Sequence, residues 1–173
     1  ESGHWLIPWK EKILSLARSP GPFDTTISLS HHERRKNNRA AVGEGFLVEC
    51  TWEKGKPAEE PYRLYPGVRV LARRTGVLTN GMVYIVEECS RKGAVLRETL
   101  LRFGATEYKK ITVTMEQLER DTALAAAITV ASCQGKTLGR TRVQGITSPH
   151  MNAENLIVCT NRTRTLKDLR CDP

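Results

Sequence analysis

No apolar run in this 173-residue sequence approaches the roughly 18 residues that a bilayer crossing needs. The sequence also has no Cys-x-x-Cys pair, and its four histidines include only one adjacent pair, His31-His32. Structural zinc sites normally contain such closely spaced ligands, so no metal site is expected. The first residues, ESGHWLIPWKEK, have neither an initiator Met nor the pattern of a signal peptide. These first residues indicate a piece of a longer protein. The lack of a long apolar run indicates that this piece does not contact a membrane.

Cysteines are few, widely spaced and odd in number. The five are Cys50, Cys89, Cys133, Cys159 and Cys171. Such a set indicates free thiols and therefore a reducing compartment, the nucleus or the cytoplasm.

Acidic residues are outnumbered by basic ones, 19 to 27, which gives a formal net charge of +8. A positive balance favours a polyanionic partner such as nucleic acid. The alternative interpretation is that the charge only keeps the domain soluble.

A complete phosphate-binding P-loop is also lacking. Gly135-Lys136-Thr137 ends like one, but the loop needs a second glycine five positions before Gly135. Val130 occupies that position, and its β-branched side chain resists the backbone angles that the loop requires. The segment is therefore not a P-loop.

The first third of the chain has the pattern of an α/β region. A helix is expected after Pro8, and residues 24–30 (DTTISLS) alternate like a strand. Ser30 and Glu33 have the spacing of a capping box, which predicts that a helix begins there. We expect Trp5 and Trp9 to be core residues rather than stacking platforms for bases.

The middle of the chain consists of short β-type runs between turn signals. Those signals are Pro66-Gly67, Asn80-Gly81 and Lys92-Gly93. An Asn-Gly pair between apolar runs is a strong hairpin signal, and the whole pattern predicts a small antiparallel barrel.

Helix is expected again from Leu118 to Ser132, a run rich in alanine. Residues 140–147 then predict a strand and residues 153–169 a short helix. The predicted domains are residues 1–60, the first part of an α/β domain; residues 61–118, an inserted barrel; and residues 119–173, the remainder of the α/β domain.

Residues 127–137 (AITVASCQGKT) resemble motif V of superfamily 1 helicases, usually Ala-Ile-Thr-x-His-x-Ser-Gln-Gly-x-Thr. The matching positions are Ala127, Ile128, Thr129, Gln134, Gly135 and Thr137. Ala131 stands where His is common and Cys133 where Ser is common, which indicates a divergent lineage, and a viral origin is one expectation.

Residues 155–169 (NLIVCTNRTRTLKDL) resemble motif VI of the same enzymes, typically Val-Ala-Leu-Thr/Ser-Arg, followed by Leu-x-x-Leu. Residues 65–86 are similar to the opening of the barrel that RecD-like helicases, the 5′-to-3′ branch, insert ahead of motif V. Residues 24–38 look like the strand and helix of the motif IV region. The resemblance covers most of the chain from Asp24 onward.

The resemblance implies an α/β fold: the parallel sheet of a second RecA-like domain, as in P-loop NTPases, with an inserted SH3-like antiparallel β-barrel. It implies the C-terminal part of an ATP-dependent helicase, without the first RecA-like domain. That domain would contain the P-loop lysine and the Mg²⁺ ligands, so this fragment alone is expected to be inactive. The implied partners are ATP, single-stranded nucleic acid with DNA favoured over RNA, the N-terminal RecA-like domain and replication proteins.

Each candidate site residue takes its role from this resemblance. Arg162 would be the catalytic arginine finger. The residues expected at the nucleotide are Gln134, Gly135, Lys136, Arg164 and Arg34. The residues expected at nucleic acid are Thr129, Ser132, Thr137, and Arg69 and Arg73 of the barrel.

Two alternatives stay open. Arg34 could belong to a solvated basic face, and Thr129 could be a buried helix residue bonded back to its own backbone. The whole chain could also be a non-catalytic, basic nucleic-acid-binding barrel module, in which case the resemblance to motifs V and VI would be coincidental.

Overall fold

The structure is a computed structural model that describes residues 6–41, 43–51, 59–99, 101 and 103–173. Within these residues the helices are α1 (Leu6–Leu16), α2 (His31–Ala40), α3 (Met115–Asp121), α4 (Val130–Cys133) and α5 (Ala153–Thr160), with a 3₁₀ turn at Leu166–Asp168. The strands are β1 (Thr25–Ser28), β2 (Phe46–Val48), β3 (Tyr62–Leu64), β4 (Arg69–Ala72), β5 (Val83–Ser90), β6 (Gly93–Glu98), β7 (Lys110–Thr114), β8 (Thr122–Leu124), β9 (Ala127–Thr129), β10 (Thr141–Val143) and β11 (Leu169–Cys171). None of the helices in the described ranges is long and apolar enough to cross a membrane.

The chain divides into two compact units. One, the parallel unit, consists of Glu1–Asn37 and Ala127–Pro173, and the other, the antiparallel unit, is Asn38–Ala126. The divisions fall after Asn37 and after Ala126, whereas the boundaries predicted from the sequence follow residues 60 and 118. Those predicted boundaries stay a prediction.

A four-stranded parallel sheet forms the centre of the parallel unit, in the order β11-β10-β1-β9. In the register of β1, Ile27 is level with Ile128 on one side and with Val143 on the other. All three side chains are fully buried, as expected for strands covered on both faces. This parallel sheet confirms the predicted α/β class.

Helix α2 begins with the predicted capping box. The amide of Glu33 donates to the Ser30 hydroxyl at 3.2 Å, and the amide of Ser30 donates to the Glu33 carboxylate at 3.3 Å. Farther along α2, the Asn37 side chain donates to the Ser28 hydroxyl at 3.0 Å and to the Gln144 side-chain oxygen at 2.6 Å. Asn37 therefore ties α2 to the end of β1 and to the segment after β10.

The antiparallel unit contains a five-stranded sheet in the order β7-β6-β5-β4-β8 and a β2–β3 pair. Its core is an apolar cluster whose largest members include Leu64, Tyr84, Leu96 and Leu118. The turn glycines predicted from the sequence join its strands, and Gly67 and Gly81 have the positive φ angles, +92° and +80°, that glycine adopts at little cost.

The predicted helix from Leu118 to Ser132 is wrong. Helix α3 ends at Asp121, and the alanine-rich run that follows forms β8 and β9. Strand β8 pairs with β4 and strand β9 with β1, so that pairing and burial outweigh the helical propensity of alanine. The segment crosses from one unit into the other at Ala127.

The expectation that Trp9 is a core residue is also wrong. Its side chain is 55% exposed on α1, where no residue is fully buried. The Lys12 ammonium lies 5.7 Å from the centre of its ring. Trp5 lies outside the described residues.

Candidate nucleotide and nucleic-acid site

Two neighbouring strands of the parallel sheet end at the same level, and each leads into a helix. Ser28, the last residue of β1, is level with Thr129, the last residue of β9. Helix α2 follows the first and α4 follows the second. The carboxyl edge of a parallel sheet is where α/β proteins generally bind ligands, so these residues lie at the expected edge.

Thr129 begins α4 as its N-cap. Its hydroxyl accepts from the Ser132 amide at 3.3 Å and donates to the Ser132 hydroxyl at 3.0 Å. Thr129 is only 7% exposed, while Ser132 is half-buried. The structure therefore gives Thr129 a capping role and brings the two predicted hydroxyls together.

The chain reverses at Gly135, immediately after α4. Gly135 has a φ of +70°, and a Cβ atom there would meet nothing within 4 Å. The amide of Lys136 donates to the Cys133 carbonyl at 3.1 Å, which closes the turn. Gln134, Gly135 and Thr137 are exposed along this turn.

Arg162 joins this turn to the end of α5. Its Nε atom donates to the Val158 carbonyl at 2.8 Å and its Nη1 atom to the Lys136 carbonyl at 3.3 Å. The carbonyl of Arg162 accepts from the Leu138 amide at 2.7 Å. Arg162 and the Gln134–Lys136 turn are therefore direct neighbours, although 26 residues separate Arg162 from Lys136.

Lys136 places a second cation at the same turn. Its ammonium donates to the Ser132 carbonyl and is half-buried. Burial lowers the pKa of Lys136, and the nearby positive charge of Arg162 acts in the same direction. Two cations held this close together favour an anion beside them.

A pair of buried thiols lies beneath this arrangement. Cys133 and Cys159 have no exposed surface, and the Cys133 thiol donates to the Val130 carbonyl at 3.0 Å. The interaction between the two thiols lowers the pKa of Cys133 and, together with burial, raises the pKa of Cys159. No local sequence pattern indicates this contact between α4 and α5, because the two residues lie far apart in the chain.

The other predicted residues lie in three different settings. Arg34 is 4% exposed within α2, and Arg164 is exposed two residues beyond Arg162. Arg69 and Arg73 belong to the antiparallel unit, and both are half-buried. The recorded contacts between candidate residues join Thr129 to Ser132, Ser132 to Lys136 and Lys136 to Arg162.

The excess positive charge lies mainly on the parallel unit. That unit contains thirteen Lys and Arg against seven Asp and Glu, a balance of +6 out of the chain's +8. The cations of the antiparallel unit, which include Arg69 and Arg73, are largely balanced by acidic residues of the same unit. Any strongly polyanionic ligand is therefore more strongly attracted to the parallel unit.

Neither a protein-family model nor a curated protein sequence matches this chain. Solved structures match it in fold. The crystal structure of Bacteroides Pif1 bound to ssDNA covers 96% of this chain with a TM-score of 0.64 and 18% identity. The Pif1 helicase from Candida albicans covers 94% with a TM-score of 0.62 and 14% identity.

A further Bacteroides Pif1 helicase, in complex with ADP-AlF3 and ssDNA, covers all of this chain, with a TM-score of 0.61 and 18% identity. The chain spans 45%, 49% and 50% of these three structures, or about half of their length. At such identities the similarity establishes the fold. This chain therefore has a RecA-like α/β fold with an inserted antiparallel unit, similar to the Pif1 helicases over nearly its whole length, and the predicted resemblance to superfamily 1 helicases is confirmed at the level of fold.

Proposed function

We propose that this chain is the C-terminal part of an ATP-dependent DNA helicase of superfamily 1. The single observation that carries the proposal is the contact of Arg162 with the Gln134–Lys136 turn, because it joins the two segments that resemble motifs V and VI. The similarity to Pif1 structures, one of them a complex with ADP-AlF3 and ssDNA, supports the same activity.

In this proposal Arg162 provides the cation that stabilises charge on the phosphates of ATP. Guanidinium is always charged and can bind two phosphate oxygens at once. The hydrogen bond to Val158 directs the side chain, and the longer contact to the Lys136 carbonyl is the one that a phosphate oxygen replaces. Phosphoryl transfer depends mostly on such positioning and charge stabilisation.

The residues around Arg162 fit a triphosphate. Lys136 adds a second positive charge, the exposed Gln134 and Gly135 lie at the same turn, and Arg164 and Arg34 are further proposed contacts. No group of three acidic, His or Cys side chains suited to a metal occurs in the described part of the chain. On the basis of the resemblance, we assign the Mg²⁺ ligands to the first RecA-like domain and expect this chain alone to be inactive.

Nucleic acid is proposed to pass along the carboxyl edge of the parallel sheet. Thr129, Ser132 and Thr137 would contact its backbone, with Arg69 and Arg73 adding contacts from the antiparallel unit. The ssDNA in the Pif1 complexes supports a single DNA strand, and the inserted antiparallel unit favours the 5′-to-3′ branch. The charge of +6 on the parallel unit argues against a binding module made of the barrel alone.

Two finer expectations belong to the same proposal. The free thiols of all five cysteines suit the nucleus or the cytoplasm. The divergent positions Ala131 and Cys133 are the basis for proposing a viral lineage, with replication proteins as partners.

The test is DNA-stimulated ATP hydrolysis by this chain joined to its upstream RecA-like domain. Arg162→Ala is expected to lower kcat by roughly 10³–10⁵ while binding of single-stranded DNA remains. Lys167→Ala is the matched control, since it removes an exposed cation five residues away that has no proposed role at the nucleotide. Full turnover by Arg162→Ala with intact DNA binding would show that Arg162 is not the finger.

A further inference from the structure

The antiparallel unit contains a small open cavity of about 220 Å³. Its lining is mostly apolar and includes Leu47, Pro61, Tyr62 and Leu124. Two arginines, Arg39 and Arg63, complete the wall. An apolar floor with cationic sides suits a ligand in which a flat, apolar group is attached to an anion.

The floor of the cavity is rigid. Tyr62 precedes Arg63 in β3, so its side chain lies on the opposite, buried face, and its hydroxyl, 2.7 Å from the Thr122 hydroxyl, anchors the strand that contains Arg63. The carbonyl of Leu124 accepts from the Asn38 side chain at 3.1 Å. Leu47 is 44% exposed although it is apolar, and it is available for contact at the cavity.

Arg39 is held by both oxygens of the Glu60 carboxylate, through its Nε and Nη2 atoms. These hydrogen bonds lie in the plane of the guanidinium and leave its two faces for stacking. A guanidinium plane stacks well on an aromatic ring, including a nucleobase. The ion pair therefore orients a stacking surface in the wall of the cavity.

Arg63 is placed to bind an anion next to that surface. It is directly across from Leu47 in the β2–β3 pair, so both side chains lie on the same face. Its Nη1 atom donates to the Gly45 carbonyl at 3.3 Å, which directs the exposed guanidinium. Further donors of the same group suit a phosphate oxygen.

We propose that this cavity binds one unstacked base of a single-stranded nucleic acid, with Leu47 and Arg39 contacting the base and Arg63 its phosphate. The size supports a single base, because sites for larger ligands usually begin near 300 Å³. The inference rests on the nucleic-acid part of the proposed function and is independent of Arg162 and of ATP hydrolysis.

The test compares binding of two labelled oligomers to the 173-residue chain: oligo-dT and an abasic deoxyribose-phosphate chain of equal length. The unmodified chain is expected to prefer oligo-dT by about tenfold, in line with the energy of stacking one base. Leu47→Asp is expected to abolish the preference. Arg63→Ala is expected to weaken the binding of both oligomers. It should also reduce the slope of log affinity against log salt concentration by about the amount that one phosphate contact contributes.

Arg91→Ala is the control, because Arg91 is an exposed arginine of the same unit outside the cavity, and it should retain the preference. Photocrosslinking of the unmodified chain to a 5-iodouracil oligomer avoids any folding defect of Leu47→Asp. The crosslink is expected in the tryptic peptide of residues 55–63, because trypsin does not cleave the Lys56–Pro57 bond.

An equal preference in Leu47→Asp and the unmodified chain, or a crosslink confined to other peptides, would overturn the inference. Continued oligo-dT binding in that case would leave the proposed function in place, whereas the absence of any binding would count against both. An acidic peptide that contains Trp is a further probe. If the peptide displaces oligo-dT but binds Arg39→Ala as tightly as the unmodified chain, the two ligands share a site that does not include Arg39. That result would also contradict the inference.

Discussion

The Arg162 guanidinium and the Lys136 backbone oxygen lie 3.3 Å apart and connect the last turn of α5 to the turn after α4. The same guanidinium also binds the Val158 carbonyl at 2.8 Å. One side chain thus holds two segments of the parallel unit together in addition to its proposed role at the nucleotide.

Arg162→Ala is expected to destabilise the isolated chain by about 1–2 kcal/mol, because two carbonyls lose a charged donor. The measurement is the free energy of unfolding in urea. Arg164→Ala, at an exposed position, should change it by less than about 0.5 kcal/mol. Equal effects of the two substitutions would contradict the structural role of Arg162.

Gly135→Ala is expected to cost about 1–2 kcal/mol, because a side chain disfavours the φ angle of +70° even where space is open. Gly135→Asn should cost less, since Asn tolerates this region better. Gly76→Ala is a control with equally open space and no such φ angle, and it should be close to neutral. Thermal unfolding of the three variants checks the order.

Asn37 and Gln144 are expected to be energetically coupled through their 2.6 Å hydrogen bond. A double-mutant cycle with Asn37→Ala and Gln144→Ala should give an interaction energy of about 0.5–2 kcal/mol. Unfolding in urea supplies the four free energies. Additivity of the two substitutions would show that the contact contributes nothing to stability.

The contacts of Asp172 predict that the folded chain loses stability in acid. Burial tends to raise its pKa, but hydrogen bonds from Arg170 and Arg142 outweigh burial and lower the pKa below its ordinary value of 3.8. Since the folded state has the lower pKa, the stabilisation is present above pH 3.8 and is lost as the pH falls through the folded pKa.

Asp172→Asn should therefore cost about 1 kcal/mol near neutral pH, and the difference from the unmodified chain should shrink in acid. Unfolding in urea at several pH values measures it. Ser15→Ala, at an exposed position on α1, removes no titratable group and should therefore leave the pH dependence unchanged. A constant difference at every pH would exclude the assigned cause.

Features that depend on neighbouring residues were predictable from the sequence. The Ser30–Glu33 capping box and the turns at Gly67 and Gly81 follow from a few adjacent side chains. The alanine-rich run after Asp121 was not predictable in this way, because its strands are selected by partners in β1 and β4.

The candidate site shows the same division. Resemblance to helicase motifs selected Arg162 and Gln134 residue by residue, but their nearness depends on the packing of α4 against α5. The Cys133–Cys159 contact and the tie from Asn37 to Gln144 join distant parts of the chain, and no local pattern indicates them.

Strand β1 and its partner β9 are separated by about a hundred residues, almost all of them in the antiparallel unit. During synthesis, β1 leaves the ribosome long before β9, β10 and β11 exist, while the strands that follow it find partners close behind. The later unit can therefore form first, because closing short loops costs less entropy. Premature termination before Ala127 would remove both strands that pair with β1, so β1 depends on segments made only after the whole antiparallel unit.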